Sequence, residues 1–230
     1  MCWTPTPSCG GKKRRLRQQI SALSPRSVVL AEDETDLLLF PPLRAGWARR
    51  GAPAEVRLSG RNARRVIFGA MNLRTGTRLF VPRHKGRSAD FQALLAEVRS
   101  AYRGWHVALL LDEDSCHTAK ASVAAAGGMT LLWLPKRSPK LSPMDTLWGQ
   151  GKDVVSADKQ YATIDEQVDR FLCHPRSLSN QEALHTSGPL GELLAPRRFV
   201  KRILRTCLSR VDIHRSNHNG HKELRPHGPG

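Results

Sequence analysis

The sequence predicts an α/β fold, a mixed sheet in which an antiparallel meander joins a βαβ unit and helices flank the whole. Three observations carry that expectation. The continuous apolar runs at 28–31 and 107–111 have the length and composition of buried strands. Between them lie shorter strand patterns separated by the turn signals Ser59-Gly60 and Arg74-Thr75-Gly76, which favour an antiparallel meander. After residue 106 the pattern alternates strand, helix and strand, and that order implies parallel strands joined by a helical crossover.

Residues 1–26 are rich in Pro, Gly and Ser, carry the basic run Lys12-Lys13-Arg14-Arg15, and show a short apolar pattern at Leu16, Ile20 and Leu23. They read as a basic tail or a short helical remnant. From Ser27 the run Val28-Val29-Leu30-Ala31 is expected to form a strand that delivers Glu32-Asp33-Glu34 at its C-terminal end. Further strands are expected at 55–58, 64–71 and 78–81. Ser88 then precedes Phe91, Leu94, Leu95 and Val98 at helical spacing, and Gly104 closes that segment.

The strand at 107–111 ends in Asp112, a helix follows to about Ala126, Gly127-Gly128 stops it, and a strand is expected at 130–134. Beyond a Pro-rich loop at 135–143, helices are expected at 144–155 and 164–172, with a basic helix at 197–208. The order of elements matches a ribonuclease H-like fold. The chain is expected to divide into a basic tail or remnant at 1–26, a ribonuclease H-like domain at 27–175, a C-terminal helical extension at 176–209 and a disordered tail at 210–230.

Charge narrows the function. Lys and Arg number 37 against 20 Asp and Glu, a formal net charge of +17, and a polyanion such as nucleic acid is the partner that best matches this excess. Five cysteines without CxxC spacing indicate neither a disulfide framework nor a zinc ribbon. No apolar stretch approaches the ~20 residues that span a bilayer, and no signal-peptide core opens the chain. A soluble, cytoplasmic protein with no membrane partner is expected.

Metal-assisted phosphodiester chemistry needs carboxylates that converge on hard divalent ions, and in open α/β sheets ligand sites lie at the carboxyl ends of strands. Asp33 and Asp112 are expected at two such strand ends, and Asp145 lies near a helix start after the Pro-rich loop. Each acid taken alone is also an ordinary turn or capping residue.

Three ordered blocks strengthen the reading. They are Asp33-Glu34-Thr35 with Trp47-Ala48-Arg49-Arg50-Gly51, then Leu109-Leu110-Leu111-Asp112 with His117-Thr118-Ala119, then Leu134-Pro135-Lys136-Arg137-Ser138-Pro139-Lys140-Leu141-Ser142-Pro143-Met144-Asp145 with Leu147-Trp148 and Lys152. Together they resemble the integrase-like DDE/DDD catalytic domain of mariner-type transposases, in particular the bacterial insertion sequence 630 group. The resemblance covers roughly residues 28–173.

It implies that Asp33, Asp112 and Asp145 hold two magnesium or manganese ions, and that the chain is an endonuclease and polynucleotidyl transferase acting on element ends and target DNA. A homodimer is compatible with it, as is association with the bacterial nucleoid when bound to DNA. The third acid departs from the insertion sequence 630 pattern, which has glutamate there, and follows the aspartate of mariner elements. The interval from Asp112 to Asp145 is slightly short for the family. The N-terminal helix-turn-helix modules of such transposases find no counterpart in residues 1–26.

Other residues have supporting roles in this reading. His117 is expected either to orient a phosphate or water near the metals or to make a polar contact at a helix start. Glu34 is expected to hold a backbone group or assist a metal, while Glu32 faces away from Asp33 by strand alternation. Glu113 and Asp114 read as helix N-terminal charges. Arg83, Lys85 and Arg87, with Lys136, Arg137 and Lys140, are the candidates for DNA-backbone contact, against a plain solvated surface. Trp47, Trp133 and Trp148 are expected in the core rather than stacked on bases. The C-terminal histidines His214, His218, His221 and His227 read as part of a frayed tail. Two functions follow: an active cleavage and strand-transfer enzyme, or an inactive remnant that binds DNA nonspecifically. A ribonuclease H-like nuclease acting on RNA–DNA hybrids is a third, disfavoured by the Ser-Pro-x-Leu-x-Pro block.

Overall fold

Long apolar runs bounded by turn residues become strands of one sheet in the computed structural model, which describes residues 9–52, 55–134 and 142–187. The elements are α1 (Cys9–Ser21), β1 (Ser27–Leu38), β2 (Arg64–Asn72), β3 (Arg78–Arg83), α2 (Ser88–Ala101), β4 (His106–Leu111), α3 (Ser115–Thr118), α4 (Lys120–Ala125), β5 (Thr130–Trp133), α5 (Pro143–Gly151), α6 (Ile164–Ser177) and α7 (Asn180–Thr186). A π-helical turn, Lys152–Ser156, continues α5. The five strands lie in the order β3-β2-β1-β4-β5, with β1, β2 and β3 antiparallel and β1, β4 and β5 parallel. This is the mixed sheet expected from the sequence.

Side-chain alternation along the strands divides the core in two. Ala31, Leu37, Ile67, Met71, Ala108 and Leu110 face α5 and α6 and pack on Met144, Leu147, Trp148, Phe171 and Leu172. Leu30, Phe68, Ala70, Leu109 and Leu111 face α2 and pack on Phe91, Leu94, Leu95 and Val98. Strand β4 is apolar at consecutive positions because helices cover both of its faces. Leu16 of α1 is buried in the first cluster, with Ile20 and Leu23 against it, so the apolar pattern near the N-terminus belongs to a docked helix.

Several expected elements change shape. Strand β1 does not end before its acids but continues to Leu38, because antiparallel pairing with β2 runs on to Leu38↔Arg64 and Thr35 and Leu37 keep the buried parity. The strand expected at 55–58 is absent. Those residues are irregular and largely exposed, and the extended half of β1 occupies the position beside β2 that they were expected to fill. The helix expected after Asp112 breaks at Ala119, whose ψ of 137° is extended, giving α3 and α4. The basic helix expected at 197–208 and the C-terminal histidines lie outside the described residues. No described helix is long and apolar enough to cross a membrane.

Candidate active site

Parallel pairing between β1 and β4 ends at Ala31↔Leu110. Asp33 and Asp112 each stand two residues beyond that last paired position, so both acids lie just past the end of the β1–β4 ladder, Asp33 within β1 and Asp112 directly after β4. Asp33 has the parity of Ala31 and points toward α5. There Ser142, the residue preceding α5, donates its Oγ hydrogen to Asp33 Oδ2 at 3.0 Å. Asp145 is exposed in the first turn of α5, three residues after Ser142, so the helix that carries it begins at the serine bonded to Asp33.

A glycine seats this helix. Gly69 on β2 is the register partner of Asp33, and a Cβ placed on it would lie 2.6 Å from Trp148 Cζ2 and 2.8 Å from Met144 Cε. Only a residue without a side chain lets α5 lie against the sheet at the level of Asp33. The neighbours of Asp145 in the helix, Met144 and Trp148, therefore fix where its backbone sits.

The opposite face of β1 holds a second constellation. Asp112 Oδ1 accepts from the Asp114 amide at 3.0 Å, and Asp114 caps α3 by accepting from the Cys116 amide at 2.8 Å. That turn drives His117 into the protein, where it is 1% exposed beneath the Phe91 ring, with centroids 4.6 Å apart. His117 Nδ1 lies 3.0 Å from Asp112 Oδ1, and Nε2 lies 3.3 Å from both Glu32 Oε2 and Glu34 Oε2. Glu32 does face away from Asp33, as alternation requires, but it is fully buried against His117 rather than idle. A signal for it was present: Glu32 shares the parity of Val28 and Leu30, so its carboxylate occupies a core-facing position that demands a partner.

Crowding shifts the titration of these groups. Burial, then the charges of Glu32 and Glu34, push the Asp33 carboxyl up to about 7, against the hydrogen bond from Ser142. Burial likewise pushes Glu32 up to about 7, opposed by His117. Burial works to strip the His117 proton, but contacts with Cys116, Glu32 and Glu34 outweigh it and raise its pKa.

The basic candidates are distributed unevenly. Strand β3 is parallel to β1 through β2, so its C-terminal end and the loop after it lie at the same end of the sheet as Asp33, two strands away. Lys85 and Arg87 are exposed there, and Arg83 pairs with Asp90 at 4.0 Å. Lys136, Arg137 and Lys140 lie outside the described residues. Trp148 is a core residue, but Trp47 is fully exposed at 105%, contrary to expectation, because the long connection from β1 to β2 passes over the surface instead of forming a strand.

Residues 28–167 match the family model described as DDE superfamily endonuclease. The uncharacterised 39 kDa protein of insertion element IS630 from Shigella sonnei is 24% identical over 157 residues, which are 66% of this chain and 46% of that protein. Protein y4pE/y4sA of Sinorhizobium fredii is 33% identical over 104 residues, 44% of this chain and 76% of that protein. Among solved structures, the Mos1 transposase paired-end complex with a left transposon end superposes with a TM-score of 0.59 at 17% identity, covering 84% of this chain and 62% of that one. The mariner Mos1 paired-end complex with Mg gives 0.59 at 18%, over 84% and 63%. The catalytic domain of Mos1 alone gives 0.52 at 14%, over 83% and 94%. The chain thus spans about half of the IS630 protein and under two thirds of the Mos1 chain in its DNA complex. The likeness to Mos1 establishes the ribonuclease H-like fold.

Proposed function

The chain belongs to the DDE superfamily endonuclease family, and from that premise we propose that it is the catalytic part of a transposase, cutting DNA at insertion-sequence ends and joining the freed strands to target DNA. The observation that supports this reading best is the pair Asp33 and Asp112, each two residues past the last paired position of adjacent parallel strands, with an acid-bearing helix tied to Asp33 through Ser142.

The donor chemistry fits a hard divalent cation. Asp33, Asp112 and Asp145 offer only carboxylate oxygens, and the ionisation of Asp33 is held back by burial and by neighbouring negative charge, an imbalance that a dication relieves. These three residues would hold magnesium or manganese, two ions in the full reading. Bound there, such ions supply a more acidic attacking water or 3′-hydroxyl and stabilise charge on the phosphate.

The protein's own contributions are positional. Ser142 fixes one oxygen of Asp33, His117 and the Asp114 amide fix Asp112, and Gly69 seats the helix of Asp145. Arg83, Lys85 and Arg87, with Lys136, Arg137 and Lys140, hold backbone phosphates, a contact that carries no sequence information by itself. DNA ends and target are the partners, in a homodimer, within a cytoplasm where the DNA-bound protein joins the nucleoid. Incubated with supercoiled DNA and magnesium or manganese, the purified chain is expected to nick it, and chelation or Asp112→Ala is expected to abolish nicking. DNA that is bound but never cut with either metal would overturn the enzymatic reading in favour of a binding remnant.

A further inference from the structure

We propose that Glu34, Cys116 and His117, with Glu32 as fourth donor, form a separate binding site for a zinc-type divalent ion behind the catalytic acids. The ligand atoms of Glu34, Cys116 and His117 all lie within 4.8 Å of one another. His117 Nε2 stands 3.3 Å from an oxygen of Glu34 and 3.3 Å from an oxygen of Glu32. In a tetrahedral site with bonds of ~2.0–2.1 Å to nitrogen and oxygen, ligand atoms are separated by roughly 3.3–3.4 Å. The two His117–glutamate spacings are therefore those of ligands around one small ion, with the Cys116 thiol inside the same 4.8 Å cluster.

The polar atoms themselves ask for a cation. His117 Nε2, Glu34 Oε2 and both carboxylate oxygens of Glu32 are buried without a well-formed hydrogen bond, the only contacts among them being the 3.3 Å approaches of Nε2 to Glu32 Oε2 and Glu34 Oε2. A single Nε2–H serves one oxygen well, whereas two stand at equal distance. Meanwhile Nδ1 of the same ring contacts Asp112 Oδ1 at 3.0 Å. A histidine that gives one nitrogen to a carboxylate and turns the other toward further donors has the arrangement found behind metal-bound imidazoles, where the carboxylate fixes tautomer and ring orientation.

Ligand type sets the metal class. A thiolate, an imidazole and carboxylates suit zinc and its neighbours, whereas the three aspartates at the sheet end offer oxygen alone and suit magnesium or manganese. Charge agrees: the ion faces Cys116, Glu34 and Glu32, three groups able to carry negative charge, beside a His117 ring that packs against Phe91. Binding here joins β1 to α3 and orients Asp112 through His117. It requires neither DNA nor cleavage, so it stands apart from the proposed activity.

Cobalt(II) titrated into the metal-free full chain tests the site optically. The expected result is one equivalent bound with tetrahedral d–d bands and a thiolate-to-cobalt charge-transfer band, the latter lost in Cys116→Ser. Glu34→Gln, at a partly exposed position, is expected to weaken binding roughly tenfold or more, since even outer partners of a metal site cost 10–100-fold. Asp145→Asn is expected to leave the spectrum unchanged. Absence of the charge-transfer band at saturating cobalt, its persistence in Cys116→Ser, or unaltered affinity in folded Glu34→Gln would each overturn the proposal.

Discussion

Asp33→Asn is expected to make the metal-free chain more stable at pH 8 while abolishing metal-dependent cleavage. The Asp33 carboxyl ionises near 7 in the folded chain against an ordinary value of 3.8. Between those values the folded chain keeps a proton that the unfolded chain has released. This contribution to stability is complete below about 4 and drains away as pH rises through 7. Asparagine never ionises, so it avoids the loss and still offers an oxygen to Ser142. Discounted for partial exposure, the gain at pH 8 is on the order of 1–3 kcal/mol, and it vanishes near pH 4. Urea midpoints without metal at the two pH values measure it, and a variant no more stable than the parent at pH 8 would contradict the crowding of charge described above. Cleavage should fall by roughly a thousandfold or more, because in the proposed function this carboxylate holds a metal ion that supports several kcal/mol of charge stabilisation.

Gly69→Ala is expected to cost about 1–3 kcal/mol of stability, the usual range for an overpacked core, and to lower cleavage on the order of 100-fold. The added methyl meets Trp148 and Met144 at under 3 Å, and Trp148 has nowhere to retreat, held between Phe80 at 5.6 Å and Phe171 at 6.0 Å. The helix must lift, and Ser142 and Asp145 move with it. Gly149→Ala, in the same helix but with no atom within 4 Å of its new Cβ, should instead be neutral or stabilising by up to about 1 kcal/mol. Thermal melts and nicking rates of the two variants check the contrast. Equal behaviour would mean that close approach at Gly69 does not seat the helix.

The sequence made some of this legible and hid the rest for physical reasons. Val107–Leu111 could be read because a strand covered on both faces is apolar at every position, and its end at Asp112 is sharp. Strand β1 was harder: three consecutive acids look like a terminus, and only pairing with β2 reveals that the strand runs through them to Leu38. Glu55 to Leu58 alternate like a strand, yet four residues with two exposed charges bury too little to earn a place in a sheet. His117 attracted notice by its spacing from Asp112, but its meeting with Glu32 and Glu34 depends on α3 folding under β1, a long-range contact that local pattern does not encode. Gly69 carried no signal at all, since its meaning lies in a helix eighty residues later in the chain.

Convergence of Asp33, Asp112 and Asp145 on a shared hard cation is tested most directly by replacing that cation with iron(II) and mapping where hydroxyl radicals generated at the bound ion break the polypeptide. In the Cys116→Ser chain, which lacks the thiolate of the second site, the account predicts simultaneous cuts beside residues 33, 112 and 145, with the cut at 145 suppressed by excess magnesium. Cuts that miss residue 145, or a cut at 145 that magnesium does not suppress, would contradict it.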